Sequence, residues 1–439
     1  MDDYQGKKVL VLGLGLNEGG VGSAKFFAKA GAKVRVTDLK SAEDLKPSLD
    51  QLKDYPIEYT LGKHKSEDID WADLIIKNPA IKPGNKYIEH AKQKGKRVEM
   101  DMGIFLQFVK PEQLIGITGT KGKSTTSSLI YEVLKNYNDN LVLAGNIGKS
   151  VLDAIEYINE NTLVVLELSS FQLESFNTHQ VSPKYAVITN IYPDHLNYYN
   201  SMAEYINAKK IIAKYQRKDD FLFLRKNDPV TTKQDFLENI QSKIIYSSKD
   251  DLPNNFHPLL KGEHNLENMA AALAVAQTMQ VDLKKALQNI QNFKGMQFRM
   301  EFVKIWNGVK IYNDTTATGP DAGIKALETF PNCILICGGM NKNMPYEEYA
   351  KTVDDLAKKV FFIQGDSTDE IKRLMKNKEK IIGTYNDLKE LLTDVKTEAK
   401  EGEVILFSPA ATSFNLFQNE FDRGRKFNEA VEKIFKSKP

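Results

Sequence analysis

The chain has 439 residues, 41% of them hydrophobic and 27% charged, with 60 Lys and Arg against 58 Asp and Glu. That length exceeds a single core and suggests about three domains. The formal charge of +2 excludes a general nucleic-acid or anionic-membrane binder, so any basic site must be local.

Met1-Asp2-Asp3-Tyr4 lacks a basic-then-apolar leader, and no apolar run approaches the roughly 18 residues of a membrane span. A cytoplasmic protein with no membrane insertion is expected. The first predicted strand, residues 8–12, runs into Gly13-Leu14-Gly15, and the next, 34–36, ends at Thr37-Asp38. A Gly-x-Gly with an acidic residue about 20 positions on is a weak dinucleotide signal. It is weaker still because Glu18 stands where a third glycine belongs. Residues 74–76 form a third strand ending at Asn78-Pro79, and the segment 108–112 marks a domain boundary.

Strand 114–117 leads into Thr118-Gly119-Thr120-Lys121-Gly122-Lys123-Ser124-Thr125, followed by the helical run 126–135. Backbone N–H groups of such a turn converge on phosphate oxygens. The helix N-terminus adds partial positive charge, Lys123 neutralises phosphate, and a hydroxyl from Ser124 or Thr125 reaches Mg²⁺. The common phosphate loop has a glycine five residues before its Gly-Lys pair, where this chain has Ile117. Strand 163–166 ends at Glu167, a carboxylate suited to Mg²⁺ beside a phosphate loop. Strand 187–189 ends at Asn190, ahead of Asp194-His195, and Tyr205-Ile206-Asn207-Ala208-Lys209-Lys210 follows in a helical stretch. Asn265, opening His264-Asn265-Leu266-Glu267-Asn268, suits a helix N-cap.

A second break falls at 292–295. Beyond it come Phe298-Arg299-Met300-Glu301, Asn313-Asp314-Thr315-Thr316-Ala317-Thr318, and a strand at 334–336 ending in Gly338-Gly339-Met340-Asn341-Lys342. Strands 360–363 and 404–407 follow, the latter entering Ser408-Pro409-Ala410-Ala411-Thr412-Ser413-Phe414 and then Phe421-Asp422-Arg423-Gly424. The two cysteines, Cys333 and Cys337, share one strand face about 13 Å apart, beyond disulfide reach. They are expected to be buried free thiols, consistent with a reducing compartment. Near-continuous apolar strands alternating with helices indicate an α/β protein with parallel sheets. Ligands bind at the C-terminal ends of such strands.

In this order and spacing the motifs resemble the Mur ligase family, particularly its D-glutamate-adding branch, from Gly13 to Gly424. The phosphate loop alone is also similar to that of folylpolyglutamate synthetases. The resemblance implies three α/β domains: a Rossmann-like 1–109, a central P-loop-type ATPase domain with a parallel sheet over 110–295, and a Rossmann-like 296–439. It implies an ATP-dependent ligase that activates UDP-N-acetylmuramoyl-L-alanine as an acyl phosphate and joins it to D-glutamate in cytoplasmic peptidoglycan precursor synthesis. A sister ligase adding another amino acid, or a folylpolyglutamate synthetase-like ligase, is the alternative.

By the same resemblance Gly119, Thr120, Lys121, Gly122, Lys123, Ser124, Thr125, Asn265, Asn268, Arg299 and Asp314 bind ATP. Arg299 is aimed at the γ-phosphate and Asp314 at the ribose. Two Mg²⁺ ions are implied, held by Ser124, Glu167, His195 and a carbamylated Lys209, with Lys210 the competing lysine. Carbon dioxide adds only to a neutral amine, so burial must depress that lysine's pKa. Gly15, Leu16, Asn17, Asp38, Asn78 and Asn146 are assigned to the uridine nucleotide substrate, and Thr318, Lys342, Ser413 and Phe421 to D-glutamate. A monomer with small-molecule substrates only is implied. The chain departs from the family pattern in Lys121 for a common asparagine, Ala80 for glycine and Thr316 for a lysine, and Glu420 stands where phenylalanine is expected.

Overall fold

Every apolar run named above becomes a strand in the computed structural model, which describes all residues except 1, 17, 83, 147–149, 197, 342–343, 414–415, 418 and 437–439. Side chains of residues 2 and 18 are also left undescribed. Seventeen strands build three sheets among the described residues.

The first sheet holds β1 (Lys8–Leu12), β2 (Lys33–Asp38), β3 (Ile57–Leu61), β4 (Leu74–Lys77) and β5 (Arg97–Glu99). It is all parallel in the order 3-2-1-4-5. The chain turns from one side of β1 to the other between β3 and β4, so the loops after β1 and β4 flank a switch point, where α/β sheets open a crevice.

The second sheet holds β6 (Leu114–Thr118), β7 (Leu141–Gly145), β8 (Leu163–Glu167), β9 (Tyr185–Ile188), β10 (Phe221–Arg225) and β11 (Lys243–Ser247). It too is all parallel, in the order 11-10-9-6-8-7. Each residue of β6 is buried, as a strand covered on both faces requires. The switch here lies around β6, with β8 on one side and β9 on the other. The loops after those three strands therefore meet.

The third sheet holds β12 (Glu301–Trp306), β13 (Val309–Asn313), β14 (Cys333–Cys337), β15 (Ala357–Ile363), β16 (Ile381–Tyr385) and β17 (Val404–Phe407), in the order 12-13-17-14-15-16. One pairing departs from the parallel expectation: β12 and β13 are antiparallel. They are joined by Asn307-Gly308, with φ of +45° and +76°, the two left-handed residues that a tight hairpin turn needs. Cys333 and Cys337 are free and buried on β14, and burial pushes both thiols up to about 12.

These sheets fall into two compact units. Met1–Asn255 with Glu263–Ile290 carries the first two sheets, and Phe256–Gly262 with Gln291–Pro439 carries the third. Within the first unit both domains share an apolar core that includes Phe27, Leu114, Leu152 and Phe176. Polar contacts also cross between the two domains: Lys77 pairs with Glu174 at 3.0 Å and Glu99 with His179 at 3.2 Å. Gly22 packs so closely on Ser150 that a Cβ there would collide with it.

Candidate active site

The phosphate loop lies between β6 and helix Lys123–Leu134, and Gly122 at φ +83° is that helix's N-cap. Left-handed backbone here favours glycine, and space demands it too, since a Cβ on Gly122 would lie 2.5 Å from Asn268 Oδ1. Gly119, at φ +149°, abuts Thr189 with no room for a Cβ. The residues after β9 hold the loop by its backbone. The Thr120 N–H donates to the Asn190 carbonyl (2.9 Å), and the Lys121 N–H donates to Asn190 Oδ1 (2.9 Å). Asn190 Nδ2 and Thr189 Oγ1 both donate to the Lys121 carbonyl (2.9 and 2.6 Å).

Two lysines converge on this turn. Lys123 Nζ donates to the Gly119 and Thr120 carbonyls, both at 3.1 Å. Lys209 Nζ donates to the same Gly119 carbonyl at 2.9 Å. Lys209 is 1% exposed and lies 4.7 Å from the centroid of the Tyr205 ring. Burial, with the Lys123 charge adding to it and Asp194 opposing it, drives its pKa down to about 7. Lys210 instead turns outward to the carbonyls of Asp235 and Glu238.

His195, at φ +54°, stands edge-on to Phe171 and Tyr205, with centroids 5.1 and 6.1 Å away. Thus His195 and Lys209 share Tyr205 as a neighbour, and the Tyr205 hydroxyl is 3.1 Å from Thr120 Oγ1. Burial pushes that phenol up to about 12, so it remains a neutral hydrogen-bonding group. Glu167 closes β8, one strand from the loop and in register with Ile117. It is 1% exposed, and its Oε1 accepts from Asn146 Nδ2 at 3.1 Å. Ser124 and Thr125 lie half-buried in the first helical turn.

Asn265 and Asn268 fall inside helix Glu263–Thr278, not at its cap, and are buried together with Asn268 Nδ2 donating to Asn265 Oδ1 at 3.3 Å. The close approach of Asn268 to Gly122 brings this pair to the mouth of the loop.

In the first domain Asp38 organises the turn after β1. Its Oδ2 accepts from the Gly15 N–H and its Oδ1 from the Lys40 N–H, both at 2.9 Å. Asn78 Nδ2 donates to the Gly13 carbonyl at 3.4 Å, so Gly15, Asp38 and Asn78 meet at the switch point while Leu16 is exposed. Asn17 lies outside the described residues. So does Lys342 in the second unit, though the two loops that flank it and Ser413 are joined by a backbone pair, Met340 with Thr412 (3.1 and 3.0 Å).

The second unit gathers Asp314, Arg299 and Arg423. Asp314 ends its loop buried, accepting from Ser408 Oγ (2.8 Å) and the Met300 N–H (3.1 Å), and burial raises its pKa to about 7. Arg299 is exposed on the turn beside it. Arg423 is 1% exposed and donates to Thr315 Oγ1 (2.8 Å), the Thr315 carbonyl (2.8 Å) and the Ala411 carbonyl (3.0 Å). It fastens the Thr315–Thr318 stretch to the Ala411–Ser413 loop. Ser413 Oγ is buried with no hydrogen-bond partner among the described residues. Thr318 is half-buried, and Phe421 is exposed with its centroid 6.3 Å from Phe298.

Family models match three successive stretches of the chain. They are described as Mur ligase MurD-like, N-terminal domain, over residues 7–99; Mur ligase middle domain over 117–258; and Mur ligase, glutamate ligase domain, over 298–411. A UDP-N-acetylmuramoylalanine–D-glutamate ligase from Roseiflexus sp. (strain RS-1) is 35% identical over 460 aligned positions, covering 97% of this chain and 98% of its own. The chain belongs to the Mur ligase family. A relative of the same name from Borreliella afzelii (strain PKo) is 36% identical across 99% of each chain. The UDP-N-acetylmuramate-alanine ligase structure from Thermotoga maritima matches with a TM-score of 0.58 over 97% of this chain and 99% of its own. At 21% identity that match establishes the shared three-domain fold.

Around the phosphate loop of this Mur ligase, supporting residues emerge that motif reading passes over. Asn190 was visible only as a polar strand end, yet it holds the loop through three hydrogen bonds. Asp228 in turn accepts from the Ile191 N–H at 3.3 Å while 1% exposed. In the second unit, no local pattern in Asp422-Arg423-Gly424 announces the burial of Arg423.

Proposed function

We propose that this Mur ligase joins D-glutamate to UDP-N-acetylmuramoyl-L-alanine at the expense of ATP, a cytoplasmic step toward peptidoglycan. The observation that carries the reading is the convergence of Lys123 and the buried Lys209 on the Gly119 carbonyl. One cation serves phosphate, and the other lysine is held where its neutral form is accessible.

The donor set fits Mg²⁺, which takes oxygen ligands. Glu167 supplies a buried carboxylate and Ser124 a hydroxyl. His195 with Lys209 would hold a second ion, provided Lys209 is a carbamate, since an ammonium cannot ligate. When bound, Mg²⁺ neutralises negative charge on the phosphate oxygens.

This chain's residues then perform the following work. The Gly119–Thr125 loop and Lys123 hold the ATP phosphates, with Asn265 and Asn268 beside them. Gly15, Asp38, Asn78 and Asn146 hold the uridine nucleotide substrate. An L-alanine carboxylate oxygen bonds to the γ-phosphorus as the bond to ADP breaks, giving an acyl phosphate. Arg299 donates to the transferring phosphoryl group, whose spread charge suits a planar guanidinium. D-glutamate, received by Thr318, Lys342, Ser413 and Phe421, attacks the acyl carbon through its amine. The bond to phosphate breaks, phosphate departs, and the amine loses a proton. The buried hydroxyl of Ser413, without a hydrogen-bond partner among the described residues, supports this pocket, because a buried donor without a partner costs about 1–3 kcal/mol that a ligand carboxylate would recover. The enzyme is proposed to act as a monomer.

The test is phosphate release from ATP and Mg²⁺ in the presence of UDP-N-acetylmuramoyl-L-alanine and a panel of amino acids. Release dependent on D-glutamate is expected. Release triggered instead by L-alanine, a diamino acid, or glutamate with a folate acceptor would assign a sister activity.

A further inference from the structure

The turn that carries Arg299 is strained. Phe298 and Met300, on either side of it, have φ of +65° and +46°, a region costly for bulky side chains that persists only when surroundings over-determine it. Phe298 is buried with its ring against Gly424, where a Cβ would meet Phe298 Cδ1 at 2.5 Å. The Phe298 N–H donates to Glu301 Oε2 (3.0 Å), and the Met300 N–H to Asp314 Oδ1 (3.1 Å). Two further bonds, both from one residue, close the turn: the Thr316 N–H and Oγ1 donate to the Phe298 carbonyl at 3.0 and 2.9 Å. Thr316 is the position where this chain has a threonine in place of the family's lysine.

We propose that Thr316 is a positioning residue for Arg299, its hydroxyl fixing the strained Phe298–Met300 turn so that the guanidinium is presented in one direction. The proposal rests on the assignment of Arg299 to phosphoryl transfer. A lysine at this position has no hydroxyl and ends in a distant charge, so it cannot make the short bond that a β-hydroxyl makes to the Phe298 carbonyl. The replacement thus exchanges a long cation for a local brace on another cation. The backbone N–H of residue 316 is kept by any substitution, so the hydroxyl's contribution can be removed alone.

The experiment compares Thr316→Val, Thr316→Ser, Arg299→Lys, Arg299→Ala and the Thr316→Val/Arg299→Lys pair in the full chain by phosphate release and thermal melting. Loss of one neutral hydrogen bond predicts a fall in kcat of about two- to tenfold for Thr316→Val. KM for D-glutamate should stay within about twofold and melting should be near wild type. Thr316→Ser should restore kcat, and Thr316→Val should lower kcat little further once Arg299 is Lys. Wild-type kcat in Thr316→Val, an undiminished effect in the Arg299→Lys background, or failure of serine to restore kcat would each overturn the proposal. Full activity in Arg299→Lys and Arg299→Ala would overturn the arginine assignment and the brace together. A strong Arg299 defect beside an inert Thr316→Val would overturn the brace alone.

Discussion

Raising the pH from 6 to 8 in the presence of dissolved carbon dioxide should switch this Mur ligase on through Lys209. The side chain is 1% exposed and its pKa falls to about 7, with burial the largest cause and the Lys123 charge the next. A lowered lysine pKa means the ammonium persists only below that value. The neutral, carbamate-forming amine makes up about a tenth of the population at pH 6, half at pH 7 and nine tenths at pH 8. An exposed lysine near 10.5 would be neutral in only about 0.03% of molecules at pH 7. The fold therefore enriches the reactive form on the order of a thousandfold. Labelled bicarbonate and carbon NMR read the carbamate directly, while phosphate release measures turnover. Both should rise together across this window, fall on removal of carbon dioxide, and be lost in Lys209→Met. A carbamate that forms only above about pH 9, or turnover indifferent to carbon dioxide and to Lys209→Met, would refute the reasoning. The same shift makes the folded state more stable as pH rises from about 7 toward 10.5, because over that range the unfolded chain binds more protons.

Three other outcomes follow from the packing. Gly119→Ala forces a Cβ into Thr189 and should abolish ATP binding by calorimetry, with about 1–3 kcal/mol lost in denaturant unfolding. Arg423→Met strands three acceptors that the guanidinium now serves. Urea unfolding should show a loss of about 3 kcal/mol or more, in contrast to the small effect expected of a surface arginine. Asp314 has a raised pKa of about 7, so between about pH 4 and 7 the folded state binds the extra proton and stability declines as pH climbs. Asp314→Asn should flatten that slope in melts run across the same range.

How much of this was legible in the residues depended on burial. Strands covered on both faces, such as β6 and β14, read as unbroken apolar runs and announce themselves. The strands that escaped notice lie at or beside sheet edges: β3, β5, β7, β11, β12 and β16 at the rims, with β10 and β13 next to them. Edge strands keep one side half exposed, so Ile57–Leu61 admits Glu58 and Thr60, and Ile381–Tyr385 admits Gly383 and Thr384, into the pattern. The β12–β13 hairpin did carry a signal, Asn307-Gly308, that periodicity alone overlooks. At the candidate site, the glycine-rich turn between β6 and its helix was readable from residue type and order. Between Lys209 and Lys210 the Ala208-Lys209 register favoured the first, but nothing in the residues themselves showed its burial. One faces the core and the other faces solvent, which only the packing of helix Met202–Lys214 against the loop decides. Arg423 is the converse case, a charged residue whose burial depends on carbonyls brought from Thr315 and Ala411, far apart in the chain.

The central claim is that a carboxyl oxygen is transferred to the γ-phosphorus before the amide forms. Turnover of UDP-N-acetylmuramoyl-L-alanine labelled with oxygen-18 in its alanine carboxylate, in the presence of ATP and D-glutamate, tests it directly. The account predicts one labelled oxygen in each phosphate released, read by mass spectrometry. Amide product accompanied by unlabelled phosphate would contradict it.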